Sequence, residues 1–154
     1  KACEEAGVPN VAYNLDTREW GPNSALISSK INWEPYFEHL VTSVTEGTQI
    51  TQDFCGGLKE DVVQTLGLND AVAAKGTKEK LDEVKAKLIS GEIKVFDTST
   101  FTVNGQTVTE YKADVDTDAA FTPDTEVVSD GYFHESEKRS APYFDLDIDG
   151  ITIK

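Results

Sequence analysis

Apolar residues follow three rhythms along this chain. The first is a short continuous run near the start, Asn10-Val-Ala-Tyr-Asn-Leu15, which closes at Asp16. Such a run reads as a strand covered on both faces, as parallel strands are. Residues 2–6 ahead of it read as the last turns of a helix, with Gly7 at its C′ position and Pro9 barring continuation. Helix, tight turn and strand form the αβ half of a βαβ unit. Ala25-Leu-Ile27 reads as a second short strand, after a polar loop that carries Trp20, Gly21 and Pro22.

The second rhythm is helical. Pro35 fits a first helical turn, where its missing N–H does no harm. Phe37, Leu40, Val41 and Val44 then recur at i, i+3, i+4 and i+7, one apolar stripe that ends at Gly47. A further helix is expected from about Thr77 to Ser90, with Thr77 as N-cap, Leu81, Val84 and Leu88 toward a core, and Gly91 after its end. Glu83 and Lys87 are spaced for an ion pair.

In the last third the period shortens to two. Phe101-Thr-Val103 and Gln106-Thr-Val108 flank Asn104-Gly105, the strongest short hairpin signal. Tyr143 to Ile148 alternates apolar and acidic residues, and Asp149-Gly150 turns it into Ile151-Thr-Ile153. The acidic stretch from Asp114 to Asp130 reads as irregular. The expected fold class is therefore α/β with parallel-strand character over residues 1–96, and a β-rich C-terminal appendage over 97–154. The front supplies too few βαβ units to close a doubly wound sheet, so it reads as a portion of a larger α/β domain.

Charge narrows the function classes. The 154 residues carry a formal net charge of −14, a surface that a nucleic-acid backbone repels. No cluster of Lys and Arg offers itself to anionic lipid. No run approaches the roughly 18 apolar residues of a spanning helix. Lys1 to Gly7 lacks the apolar core of a signal peptide, and from the absence of Met a processed or truncated start is expected. Cys3 and Cys55 cannot build a metal cage by themselves. They read as two thiols, mostly buried, with one disulfide as the alternative.

Candidate chemistry is sparse. Asp145-Leu-Asp-Ile-Asp149-Gly150 matches the first half of a calcium loop. That loop needs a Glu at its twelfth position, whereas the tenth is already Lys154. Strand alternation explains the pattern better, with Leu146 and Ile148 inward and the aspartates in water. His39 lies beside the apolar stripe, and His134 falls in the charged run Phe133-His-Glu-Ser-Glu-Lys-Arg139. No nucleophile, zinc or phosphate-loop motif accompanies either histidine, so no catalytic residue, metal ligand or cofactor is expected. One constellation stands out. Asp16 falls at the C-terminal end of a parallel strand, where open α/β sheets bind ligands. Trp20, Trp33, Asn14 and Asn32 lie nearby in sequence. A carboxylate, indole faces and amides suit a sugar or nucleoside. On the other reading, Trp33 opens a helix, Trp20 packs in a loop and Asp16 caps the following turn.

Tyr13-Asn-Leu-Asp16, Leu26-Ile-Ser-Ser29, Asn32-Trp-Glu-Pro-Tyr-Phe37, Gly56-Gly-Leu-Lys-Glu-Asp-Val-Val63 and Lys87-Leu-Ile-Ser-Gly-Glu-Ile-Lys-Val-Phe96 together resemble the BMP family of basic membrane lipoproteins, the PnrA-like substrate-binding proteins. The resemblance implies a type I periplasmic-binding-protein fold, two α/β lobes closing on a ligand, commonly a purine nucleoside. It implies export, lipid anchoring on the outer face of the bacterial cytoplasmic membrane, and delivery to an ABC permease. It places Asp16 on the ribose hydroxyls and Trp20 at an aromatic position. Ile31 stands where some members carry a ligand-contacting lysine and others a tryptophan. Gly56 and Gly57 let backbone run close to the cleft or hinge, or else form a plain turn. Two lobes take about 250–300 residues. The chain then corresponds to the C-terminal half, completed by its N-terminal part, a second fragment or a second copy. The expectation from another class is a cell-surface interaction or calcium-binding module on the acidic tail.

Overall fold

The computed structural model describes residues 1–116, 118–120 and 122–152, apart from the side chain of Pro142. It is α/β and divides into two compact units, Lys1–Ser90 and Gly91–Lys154.

The first unit opens with helix α1 (Ala2–Ala6), closed by Gly7 in the left-handed region at φ 64°. Strand β1 (Asn10–Tyr13) follows and pairs in parallel with β2 (Ala25–Ile31). Strand β3 (Val63–Leu66) completes the sheet antiparallel to β2, in the order β1-β2-β3. The sheet is therefore mixed, where a parallel one was expected. β3 went unforeseen because its four residues offer too short a pattern for alternation to stand out. β2 runs well past the Ala25–Ile27 expected, and Ile31 is its last residue.

Two expectations about burial are overturned. β1 is a parallel strand, but Val11 and Tyr13 are each about two-thirds exposed, because they share the one face of β1 that is left uncovered, while Asn10 and Ala12 on the other face are half-buried. Helix α2 (Glu34–Glu46) has Pro35 in its first turn and ends at Gly47, φ 67°, as its sequence dictates. Three of the four residues of its apolar stripe nevertheless face outward: Phe37 is 57% exposed, Val41 67% and Val44 70%. The inward face is rotated by one residue and carries Tyr36, His39, Leu40 and Ser43. Tyr36 packs against Phe54 at 5.4 Å, and the His39 ring stacks on Phe54 at 5.6 Å. Phe54, in the loop after α2, thus sets which face turns in.

Helix α3 (Thr77–Ser90) has the expected bounds, but Thr77 lies inside it, after Gly76. None of its residues is fully buried, and Leu81 is exposed. Its visible support is electrostatic: Lys78–Asp82 at 2.5 Å, Lys80–Glu83 at 2.9 Å and Lys87–Glu83 at 3.5 Å. Such exposed helical pairs contribute little, because solvent screens them. Among the described residues, the fully buried positions of the first unit are all small: Gly21, Ser24, Ala25, Ser28 and Ser43. It has no large apolar core.

The second unit does have one. Val108, Ala113, Val127, Val128 and Phe133 are buried together, with Phe96, Phe101, Tyr111, Phe144 and Leu146 packed around them. The Phe133 ring lies 5.2 Å from Phe96 and 5.0 Å from Phe144, tilted or edge-on as aromatic quadrupoles favour. Two short antiparallel ladders frame this core: β4 (Lys112–Ala113) with β5 (Thr125–Glu126), and β6 (Val128–Ser129) with β7 (Tyr132–Phe133). β5 and β6 fall inside the stretch read as irregular, which in fact supplies Val127 and Val128. The Asn104-Gly105 turn forms, at φ 52° and 77°, but only a single bridge, Val103 to Gln106, flanks it. Phe144, Leu146 and Ile148 alternate inward as expected, without a ladder. Asp149-Gly150 turns, since the Ile151 N–H donates to the Ile148 carbonyl at 3.1 Å. Ile153 lies outside the described residues.

Candidate functional site

The end of β1 sets the geometry. Asn14 leaves the strand in the left-handed region, φ 72°, and its N–H donates to the Ser29 carbonyl on β2 at 2.5 Å. Asp16 lies two residues beyond. Both of its oxygens face Arg18, with Nε at 3.0 Å from each and Nη2 at 2.6 Å from Oδ2. The Arg18 N–H adds a bond at 3.1 Å. These hydrogen bonds hold the Asp16 carboxyl below its ordinary range, and the arginine is raised in return. The guanidinium lies over Gly67, where a Cβ would come within 2.7 Å of it. Arg18 was missed from sequence, although D-x-R spacing in a loop is a readable sign of a fork-shaped pair.

The C-terminal end of β2 carries the next group. Ile31, half-buried, is paired with Val63 of β3. The Asn32 N–H donates to the Val62 carbonyl at 2.7 Å, and its side-chain amide reaches the Asp61 carbonyl oxygen at 3.1 Å. Trp33 is the N-cap residue of α2, 57% exposed, with its edge toward Tyr36. The carbonyl of Gly57 accepts from the N–H groups of Val62 and Val63. Gly56 is needed for a close approach, since a Cβ there would fall 2.5 Å from Val62 Cγ2. Asn14, Ile31, Asn32, Trp33, Gly56 and Gly57 are thus tied to the end at which β1 and β2 stop.

Trp20 is placed elsewhere. It lines a cavity of about 280 Å³ with Cys3, Asn10, Thr17, Ser24 and Ala25, at the opposite, N-terminal ends of β1 and β2. Thr17 Oγ1 is buried there without a hydrogen-bond partner. Cys3 and Cys55 form no disulfide; Cys3 is half-buried and Cys55 exposed, against the expectation of buried thiols.

In the tail, Asp149 accepts from Thr102 Oγ1 at 2.6 Å, from the Asn104 N–H at 3.1 Å and from the Gly105 N–H at 2.8 Å. Asp145 meets the Tyr111 hydroxyl, whose pKa is raised first by burial and then by that carboxylate. These acids are engaged as turn and core-edge partners. Among the described residues no group of three His, Cys, Asp or Glu side chains is arranged to hold a metal, and no helix is long and apolar enough to cross a membrane. Lys154, the tenth position of the calcium-loop pattern, lies outside the described residues.

His134 departs most from its sequence reading. It is only 8% exposed, where a solvated charge run was expected. Nδ1 lies 2.7 Å from Glu137 Oε2 and Nε2 lies 2.9 Å from Ser129 Oγ. The chain matches no protein-family model and no curated protein.

Proposed function

We infer that the chain is part of an extracytoplasmic solute-binding protein of an ABC importer, of the BMP type. On this reading a small ligand, a purine nucleoside, binds at the C-terminal ends of β1 and β2 between two lobes of a type I periplasmic-binding-protein fold. The supporting observation is the shared end of a parallel strand pair. Asn14 and Asp16 follow one strand, and Asn32 and Trp33 the other, at the end where open α/β sheets bind ligands. Arg18 keeps Asp16 ionised and oriented. A carboxylate has about four lone-pair sites; the backbone N–H, Nε and Nη2 of Arg18 take three of them, so one acceptor position is left for a ribose hydroxyl. Trp33 offers an exposed indole face for the base.

Exposed surface supports a second wall. The chain exposes 11085 Å². Two separate compact domains of these sizes would expose about 9,200 Å². The excess, about 1,900 Å², is more than twice the roughly 800 Å² that each partner gives to a standard interface. Further polypeptide of the same protein, or a second fragment, covers it in this proposal, and the ligand favours the closed form in which both walls touch it. Lipid anchoring outside the cytoplasmic membrane and transfer to an ABC permease follow from the family resemblance.

In the complete protein, Asp16→Ala is expected to weaken nucleoside binding at least about tenfold by titration calorimetry. Unchanged affinity would reject Asp16 as a ligand residue. Failure of the complete wild-type protein to bind any nucleoside would reject the ligand class.

A further inference from the structure

The β6–β7 hairpin and the turn after it bring three side chains into a line that solute binding does not use. Ser129 ends β6 and is exposed, just before the left-handed pair Asp130 and Gly131 at φ 53° and 80°. Its hydroxyl lies 2.9 Å from His134 Nε2. The other ring nitrogen, Nδ1, lies 2.7 Å from Glu137 Oε2. A carboxylate only accepts, so Nδ1 carries the hydrogen and the lone pair of Nε2 faces Ser129. The ring is held in this pose. It is buried, it lies tilted against the Tyr132 ring at 3.7 Å between centroids, and Lys94 Nζ sits 4.5 Å from the centroid of that same tyrosine ring. Accessible nucleophile, buried base and a third group orienting the base are the roles of a nucleophilic triad, which is recognised by geometry and not by order in the chain.

We propose that Ser129 is an activated nucleophile, with His134 as its general base and Glu137 as the positioning residue, reactive toward small activated esters and phosphonyl electrophiles. With an ester, Ser129 Oγ bonds the carbonyl carbon while its proton passes to Nε2. The bond to the leaving oxygen then breaks, and that oxygen takes the proton from Nε2. Water, deprotonated by the same nitrogen, releases the acid and restores the serine. In between, the imidazolium has acceptors on both sides: Glu137 at Nδ1 and the Ser129 carbonyl oxygen, 3.3 Å from Nε2. With a fluorophosphonate the Oγ–P bond forms, the P–F bond breaks, fluoride leaves with the proton, and the adduct persists. The inference is independent of the nucleoside site, which lies in the other unit.

The test is labelling of the full chain with a small fluorophosphonate, read by peptide mass spectrometry, with p-nitrophenyl acetate as the ester probe. The adduct is expected on Ser129, formed about 100-fold or more faster than on other exposed serines, since a positioned base is worth at least about that factor. Ser129→Ala should abolish the adduct and the ester turnover. Glu137→Gln should slow labelling at least about tenfold with unchanged circular dichroism, and Glu137→Asp should restore part of the rate. Both residues are exposed, so these variants test chemistry without the folding risk of replacing buried His134. Labelling at the same rate on all exposed serines, or a Glu137→Gln rate equal to wild type in a folded chain, would overturn the proposal.

Discussion

Individual charges in this chain are placed for local partners, and Arg18 shows what one of them does. It spans both Asp16 oxygens and lies over Gly67, so it both fixes the carboxylate and roofs the turn after β3. Because the folded pKa of Asp16 lies below its unfolded value, the stability linked to it is present above the ordinary carboxylate range and is lost as pH falls through the folded value. Arg18→Ala is expected to move the Asp16 titration up toward the ordinary range, read by NMR of its carboxyl carbon. The melting temperature at neutral pH should hardly change, since the pair is half-exposed. Asp114 has the opposite sign. Burial and then Asp116, Asp118 and Asp124 raise its pKa, so acid relieves strain there. The position of Asp16 just beyond β1 was legible in the sequence. Arg18 and the buried pose of His134 were not, because both depend on partners that backbone turns bring in.

Elements formed where turn chemistry is local and were misjudged where packing decides. Gly7, Gly47 and the Thr77–Ser90 helix follow from neighbours within a turn or two, and all three were readable. The outward stripe of α2 was not, since Phe54, fifteen residues beyond His39, chooses the inward face. β5 and β6 hid in an acidic stretch because two-residue strands carry no period. At this scale Gly56 is the sensitive point: its backbone lies against Val62, whose carbonyl accepts the Asn32 N–H beside the β2–β3 ladder. Gly56→Ala is expected to destabilise the first unit by about 1–3 kcal/mol through overpacking, measured by urea denaturation. A neutral result would mean that Val62 moves aside freely.

For the whole molecule, the two units differ in how they are held. The second surrounds Phe133, 1% exposed, with aromatic neighbours, whereas the first buries only small residues. Residues 91–154 expressed alone are expected to melt in one cooperative transition, and residues 1–90 alone to melt broadly and to bind a hydrophobic dye, checked by calorimetry and fluorescence. A sharp transition for residues 1–90 would count against the exposed apolar surface as a sign of missing cover. The clamp of Asp149 on the Asn104-Gly105 turn also bears on how the protein ages. Asn-Gly pairs deamidate when the glycine nitrogen attacks the asparagine side chain, and here that nitrogen is tied to Asp149 at 2.8 Å. Asp149→Ala should therefore speed deamidation at Asn104 during storage at neutral pH, visible as an acidic shift on isoelectric focusing. Each such event adds a negative charge to a chain already at −14, so a single aspartate sets how long the protein keeps its original charge.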